Sequence, residues 1–191
     1  MNRLSLHTYL QTELLIDINQ EIISQFFSTR ELGKGEYFIK TGQVCKHLGF
    51  LEKGFVKYYK TDDKGQEVVC DFAKESDWIT QYQSFIFQTA SPLSIIAIEP
   101  STLQIISFDN LQLLYAQVPS IEKHSRKVIE NVFFSALERN NELQVLRAEE
   151  RYVKFAKENP DIINRVPQYD IASYLGIAPQ SLSRIKSNYR G

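Results

Sequence analysis

The sequence has few of the features that mark several common classes of protein. No run of about eighteen apolar residues occurs, so no helix is predicted to span a membrane. The N-terminus lacks the continuous apolar segment of a signal peptide. The formal net charge is only -1, so nucleic acid would have to be met by a local positive patch. We therefore expect a cytoplasmic protein.

Residues that would carry catalysis or bind metal are also scarce. Cys45 and Cys70 stand apart without a CxxC pair, and we expect two reduced thiols. The histidines, His7, His47 and His124, show no HxH or HxxxH spacing, whereas a catalytic zinc site needs three protein ligands. No GxSxG and no phosphate-binding glycine loop occurs. The sequence therefore predicts no metal site, no catalytic residues and no enzyme.

Short runs of β-branched and aromatic residues dominate the chain between residues 36 and 108. Asp63-Lys64-Gly65 separates two of these runs and is a hairpin signal, because glycine accepts the positive φ of such turns. Many short strands at close spacing indicate an antiparallel sandwich or barrel. The spaced apolar positions of residues 4–31 predict one or two short helices before it.

Beyond Phe108 the pattern becomes helical, and no glycine or proline interrupts residues 120–146. A helix of this length with one apolar stripe usually packs against a partner helix. We interpret it as a dimerisation helix, with a helix lying across its own β domain as the alternative. Arg139 interrupts the stripe. The predicted dimer seam consists of Ile129, Val132, Ala136 and Leu143. A further helix in AEERYVKFAKE is predicted to stop at Asn159-Pro160.

The stretch QYDIASYLGIAPQSLSRI, residues 168–185, has the pattern of a helix-turn-helix. Ala172 provides a small residue where the two helices cross, and Gly176 suits a left-handed turn. Pro167 and Pro179 stand where the two helices begin. The apolar residues predicted to face the shared core are Ile171, Leu175, Ile177, Leu182 and Ile185.

The second of these helices leaves a polar outer side. Its residues are Gln180, Ser181, Arg184, Lys186 and Ser187. In the major groove of DNA, arginine can bind guanine and glutamine can bind adenine. Residues 184–190 carry the positive charges of Arg184, Lys186 and Arg190 and no acid. We predict binding to double-stranded DNA, with a plain helical hairpin as the alternative.

The chain resembles the Crp/Fnr family of transcriptional regulators over nearly its full length. The resemblance lies in KGEYFIKTGQVCKHLGFLEKGFVKYY and, more specifically, in RVPQYDIASYLGIAPQSLSRIK. It implies an α+β fold, with an antiparallel, jelly-roll-like β-roll as sensor, a long dimerisation helix and a DNA-binding domain. We place the sensor and dimerisation helix in residues 1–146 and the DNA-binding domain in residues 147–191.

The resemblance also implies partners and roles. These are base contacts by Gln180, Ser181 and Arg184, a homodimer, a small-molecule effector and RNA polymerase. The sequence ends at Gly191, just after the predicted recognition helix. We therefore expect no β-hairpin wing, which many family members carry, and fewer phosphate contacts.

One stretch departs from the family pattern for cyclic AMP. Members that bind it resemble one another in a Gly-Glu pair and an Arg followed by Ser or Thr, which hold the ribose and the cyclic phosphate. The corresponding residues 76–97, SDWITQYQSFIFQTASPLSIIA, contain no Gly, Arg or Glu. A buried phosphate would lack its counter-charge there. We therefore predict that cyclic AMP is not the effector, and the effector stays unidentified.

Two questions stay open at this point. The residues Trp78, Gln81, Tyr82 and Phe85 could line an effector pocket, or the aromatic ones could simply fill the core of the roll. The protein could also be a ligand-sensing module that acts through protein contacts without specific DNA binding. The near-neutral charge favours a sensing module of this kind. The substitution Arg184→Ala separates it from the DNA-binding hypothesis, because only a DNA-binding protein should lose DNA retention.

Overall fold

The structure is a computed structural model of the chain, and it describes residues 4–188. Arg190, which we counted in the predicted positive patch, lies outside the described residues. The helices are α1 (Leu6–Thr12), α2 (Gln20–Phe26), α3 (Tyr82–Phe87), α4 (Phe108–Gln117), α5 (Pro119–Val145), α6 (Ala148–Glu158), α7 (Pro160–Arg165), α8 (Gln168–Leu175) and α9 (Pro179–Asn188). The strands are β1 (Ser28–Leu32), β2 (Tyr37–Ile39), β3 (His47–Lys53), β4 (Val56–Thr61), β5 (Glu67–Ala73), β6 (Trp78–Ile79), β7 (Ser94–Ala97) and β8 (Ser101–Ser107).

The strands described form two four-stranded sheets, in the orders β1-β8-β3-β6 and β2-β7-β4-β5. In the first sheet β8 pairs antiparallel with both β1 and β3, and in the second β7 pairs antiparallel with both β2 and β4. The turn between β4 and β5 closes as predicted: the Gly65 amide donates to the Asp62 carbonyl at 3.0 Å, and Gly65 has φ +79°. The predicted hairpin is therefore confirmed.

Both sheets contribute to one apolar core. Phe50 and Leu103 from the first sheet and Val56 and Ile95 from the second are fully buried in the same cluster. Residues of the flanking helices complete it, among them Leu6, Ile23, Phe85, Leu111 and Ile121. Shielding two apolar sheet faces with one shared interior is the usual solution for antiparallel sheets. The predicted α+β fold with an antiparallel β-roll is confirmed.

Three elements depart from the sequence pattern. β1 lies at the end of the region predicted as helical. It was not recognised as a strand because its polar STREL sequence shows no alternation, and it is an edge strand that pairs with β8. The six residues of α3 are too few to show a helical period. Pro160 does end α6 as predicted, but it also begins α7, since the first helical turn has no need of its missing N–H.

The described chain divides into two compact units. One contains residues up to Lys60 together with Cys70–Lys127, and the other contains Thr61–Val69 together with residues from Val128 onward. The division therefore falls inside α5. The predicted boundary between residues 146 and 147, which separates a sensor from a DNA-binding domain, stays a prediction. Within the part of the chain that is described, no helix is both long and apolar enough to cross a membrane.

We expect Gly54→Ala to destabilise the protein strongly. Gly54 has φ +109°, and an added Cβ would lie 2.1 Å from Ser101 Oγ and 2.6 Å from Ser101 Cα. Backbone strain together with this overlap should cost about 2 to 3 kcal/mol, measured as the free energy of unfolding in urea by circular dichroism.

Gly65→Ala is the matched control for this substitution. Gly65 also has a positive φ, +79°, but no atom lies within 4 Å of the added Cβ. The substitution should therefore lower the free energy of unfolding only by the backbone strain it adds, about 1 to 2 kcal/mol. Equal losses in the two variants would contradict the close approach between Gly54 and Ser101.

Candidate functional site

The helices α8 and α9 form a helix-turn-helix. α8 ends at Gly176, which has φ 62°, and its amide donates to the carbonyls of Ala172 and Ser173. The Ile177 amide then donates to the Ala172 carbonyl at 2.9 Å, and α9 begins at Pro179. Hydrogen bonds of this kind satisfy carbonyls that a helix end leaves unpaired. The predicted left-handed turn at Gly176 is therefore confirmed.

Most of the predicted core residues of this motif are buried. Ala172 is fully buried, which is consistent with a close crossing of two helices at a residue without a longer side chain. Ile171, Leu175, Ile177 and Leu182 are buried as well. Ile185 is an exception and is only half-buried, because it lies in the last turn of α9, beyond the buried Leu182.

The outer side of α9 carries the predicted polar residues. Gln180, Ser181 and Arg184 are exposed, and their spacing places them on one side of the helix. Lys186 is half-buried. Ser187 is exposed, but its hydroxyl donates to the Arg184 carbonyl at 2.8 Å and so bonds its own helix. The sequence of α9 contains no acid, so this surface is positive. Its contact with DNA stays a prediction.

The long helix α5 exposes an apolar surface. Val132 is 62% exposed, Ile129 37% and Leu143 41%, and Ala136 is exposed too. Phe133, Phe134 and Leu137 add further exposed apolar area. The buried residue of α5 is Ile121, near its beginning. Large exposed apolar patches mark interaction surfaces, and the predicted dimer seam stays a prediction.

Arg139 interrupts the apolar stripe of α5 because its side chain is used within the second unit. The guanidinium donates from Nη2 to the carbonyl of Tyr174 at 3.0 Å. Arg151 of α6 makes a comparable contact, with Nε donating to the carbonyl of Leu175 at 2.8 Å. Sequence reasoning did not find either role. The one available signal was the charged residue inside an apolar stripe.

Two of the four residues predicted for an effector pocket lie in or against the apolar core of the β-roll. The Trp78 ring is half-buried and lies 5.1 Å from Phe50 and 6.4 Å from Phe27, measured between centroids. Phe85 is fully buried and contacts Phe108 edge to face at 5.7 Å. These contacts favour the alternative in which the aromatic residues fill the roll.

The polar residues of this stretch are engaged locally. The Gln81 side chain accepts from the Ser84 amide and caps α3. Ser84 is buried and donates to the Thr89 carbonyl at 2.5 Å, and Ser91 is buried and donates to the Leu93 carbonyl at 2.6 Å. Tyr82 is 46% exposed. An effector pocket built from Trp78, Gln81, Tyr82 and Phe85 therefore stays a prediction.

The one charged side chain of residues 76–97 is Asp77, which is exposed. An acid cannot supply the positive counter-charge that a cyclic phosphate needs. The cysteines are free thiols, with Cys45 buried and Cys70 partly so.

The β-roll resembles a known class of domain. Residues 29–118 match the family model of the cyclic nucleotide-binding domain. This span runs from β1 through α4 and contains both sheets. The segment is therefore similar to cyclic nucleotide-binding domains, and in this chain a long helix and a helix-turn-helix follow it.

Comparison with whole proteins extends the similarity beyond the β-roll. The chain is 23% identical over 175 residues to electron transport regulator A of Shewanella oneidensis, covering 84% of this chain and 68% of that protein. FixK2 from Bradyrhizobium japonicum has a similar structure, with a TM-score of 0.73, 16% identity and coverage of 85% and 83% of the two chains.

A protein from Eubacterium rectale described as a transcriptional regulator of the Crp/Fnr family matches with a TM-score of 0.68 and 18% identity. That match covers 100% of this chain and 88% of the other. The chain thus has the fold of Crp/Fnr-type regulators, and the resemblance inferred from the sequence is confirmed.

Proposed function

We propose that the protein is a homodimeric, sequence-specific, DNA-binding transcriptional regulator of the Crp/Fnr type. One observation carries the proposal: α9 follows a left-handed turn and presents Gln180, Ser181 and Arg184 on an exposed helix face without any acid. The name of the Shewanella oneidensis relative, a regulator, supports the same class and speaks against an enzyme. We include a cytoplasmic location and contact with RNA polymerase in the proposal.

The dimensions of α9 suit the major groove. A helix with its side chains is about 10–12 Å in diameter, and the major groove of B-form DNA is about 12 Å wide. Arg184 would donate two parallel hydrogen bonds to guanine, whereas Gln180 would bind adenine and Ser181 a base or a phosphate. Lys186 adds charge near the same surface without being fully exposed.

Dimerisation through α5 fixes the form of the DNA site. A two-fold dimer places its two recognition helices about one turn of DNA apart, roughly 34 Å. We therefore expect a target that is an inverted repeat. The exposed residues Ile129, Val132 and Ala136 would be covered by the same residues of a second copy.

The sensor would act on DNA affinity by changing the angle between the two recognition helices through α5. The effector would not be cyclic AMP, because residues 76–97 offer no Arg or Glu and their buried Ser84 and Ser91 already bond the backbone. Trp78 and Phe85 do not indicate another effector, because Phe85 lies in the core and Trp78 packs against it.

We expect the purified wild-type protein to enrich an inverted repeat from a random duplex pool. Arg184→Ala should lose this enrichment, because one bidentate base contact accounts for about 1 to 3 kcal/mol of discrimination. Lys127→Ala on α5 is the control, since it removes the same charge at an exposed position outside α9.

Equal enrichment by the wild type and Arg184→Ala would contradict base contact by Arg184. If the wild type enriches nothing, even after a cell extract has supplied candidate effectors, the sensor that acts through protein contacts becomes the better hypothesis.

We expect Val132→Glu to give monomers and to weaken DNA binding at the same time. Val132 is 62% exposed in the single chain, so the substitution should not disturb the folded monomer but would bury a charge between two copies. Light scattering measures the mass, and circular dichroism checks the fold.

Lys127→Glu is the control for this experiment, because the 3.6-residue period places it on the side of α5 opposite the seam. Val132 is preferable to Leu143 as the test site, because Leu143 also packs near the turn: its Cδ2 lies 3.4 Å from the point where a Cβ on residue 176 would stand. A Val132→Glu protein that stays dimeric would show that the seam is wrong.

We expect no binding of cyclic AMP. Isothermal titration calorimetry should show no heat beyond dilution, and the melting temperature should stay unchanged, because only a ligand that binds the folded state raises it. The noncyclic nucleotide 5′-AMP is the control ligand. A saturable rise in melting temperature with cyclic AMP alone would contradict the prediction.

A further inference from the structure

Each of the last four carbonyls of α8 accepts a hydrogen bond from beyond the helix or from an arginine. The last four carbonyls of a helix have no partner within the helix. Here the amides of Gly176 and Ile177 bond the carbonyls of Ala172 and Ser173. The next three carbonyls, those of Tyr174, Leu175 and Gly176, accept hydrogen bonds from arginine side chains.

Arg139 brings α5 to this helix end by two contacts. Its Nη2 donates to the Tyr174 carbonyl at 3.0 Å, and its guanidinium carbon lies 3.8 Å from the centroid of the Tyr174 ring. The same ring packs on Phe155 of α6 at 5.3 Å. The planar guanidinium of arginine can stack and donate at the same time, which an ammonium group cannot do.

Arg151 of α6 joins three parts of the second unit. Its Nε donates to the Leu175 carbonyl at 2.8 Å and its Nη2 to the Gly176 carbonyl at 3.3 Å. Its Nη1 donates to the Leu146 carbonyl, just past the end of α5, at 2.6 Å. Positive charge at a helix carboxyl end is also favoured by the helix dipole. The two arginines thus attach the turn to α5 and α6.

We propose that Arg139 and Arg151 form a clamp, defined by these two side chains and the carbonyls of residues 174–176, that fixes the recognition helix in orientation relative to α5. Both are positioning residues, since they hold α8 and the turn before α9 and do not themselves face the outer side of α9. The proposal rests on the proposed function for its role in DNA binding. It also explains why a charged residue interrupts the apolar stripe of the predicted dimerisation helix.

The clamp predicts a change that can be measured without DNA. In the full-length protein, Arg139→Ala should speed the hydrogen–deuterium exchange of the amides of residues 174–178, detected by mass spectrometry. Lys127→Ala removes the same charge from α5 and should leave this exchange unchanged. Arg139→Lys keeps the charge but not the planar group, so it should behave like Arg139→Ala.

The second measurement is DNA affinity for the duplex selected by the wild type. We expect Arg139→Ala and Arg139→Lys to weaken binding by about tenfold. The dependence of affinity on salt should keep its slope, because that slope counts phosphate contacts and Arg139 is not proposed to make one. Tyr174→Leu removes the ring but keeps the carbonyl. Like Arg139→Ala, it should speed the exchange of residues 174–178 and weaken DNA binding.

The outcomes are distinct. Unchanged exchange in Arg139→Ala would overturn the clamp, and faster exchange with unchanged DNA affinity would overturn its positioning role. Wild-type behaviour of Arg139→Lys would overturn the requirement for a planar group. If the wild type selects no DNA, the proposed function and the positioning role fail together, whereas the exchange data still test the clamp.

Discussion

At Gly176 the backbone passes through a left-handed conformation, and the direction of the helix that follows depends on this one residue. Its φ of 62° lets α8 end and α9 begin within a few residues, and the fully buried Ala172 allows the two helices to approach closely. The carbonyls at the end of α8 need partners other than the amides of the helix itself. The arginines of α5 and α6 supply those partners, so local backbone geometry and packing across three helices are parts of one arrangement.

The sequence predicted those parts of the fold whose pattern is local. The runs that became β4 and β8 are rich in β-branched and aromatic residues, and the turn at Gly65 has a glycine where a positive φ is needed. The helix-turn-helix was equally visible, since its glycine, its alanine and its apolar positions fall within residues 168–185. In each case the deciding interactions are between neighbours in the chain.

Elements and contacts that depend on distant residues were not predicted. β1 is held by its pairing with β8, in which Ser28 lies opposite Ile105 and Leu32 opposite Ser101. No local sequence pattern predicts this pairing. The contact of Arg139 with Tyr174 spans 35 positions and that of Arg151 with Leu175 spans 24. The local hydrogen bonds of residues 76–97 were not predicted either. Whether a serine such as Ser84 faces a ligand or bonds the backbone is decided by the tertiary fold, and here it bonds the Thr89 carbonyl.

The aromatic cluster around Trp78 has a practical consequence for spectroscopy. The chain contains one tryptophan, and its ring packs against Phe50 at 5.1 Å and near Tyr9 at 6.5 Å. Intrinsic emission excited at the red edge of the indole band therefore originates entirely within the β-roll. The other unit, which contains Thr61–Val69 and the residues from Val128 onward, has no tryptophan and contributes none of this signal. The native protein thus carries a label-free optical probe that reports on one of its two units alone.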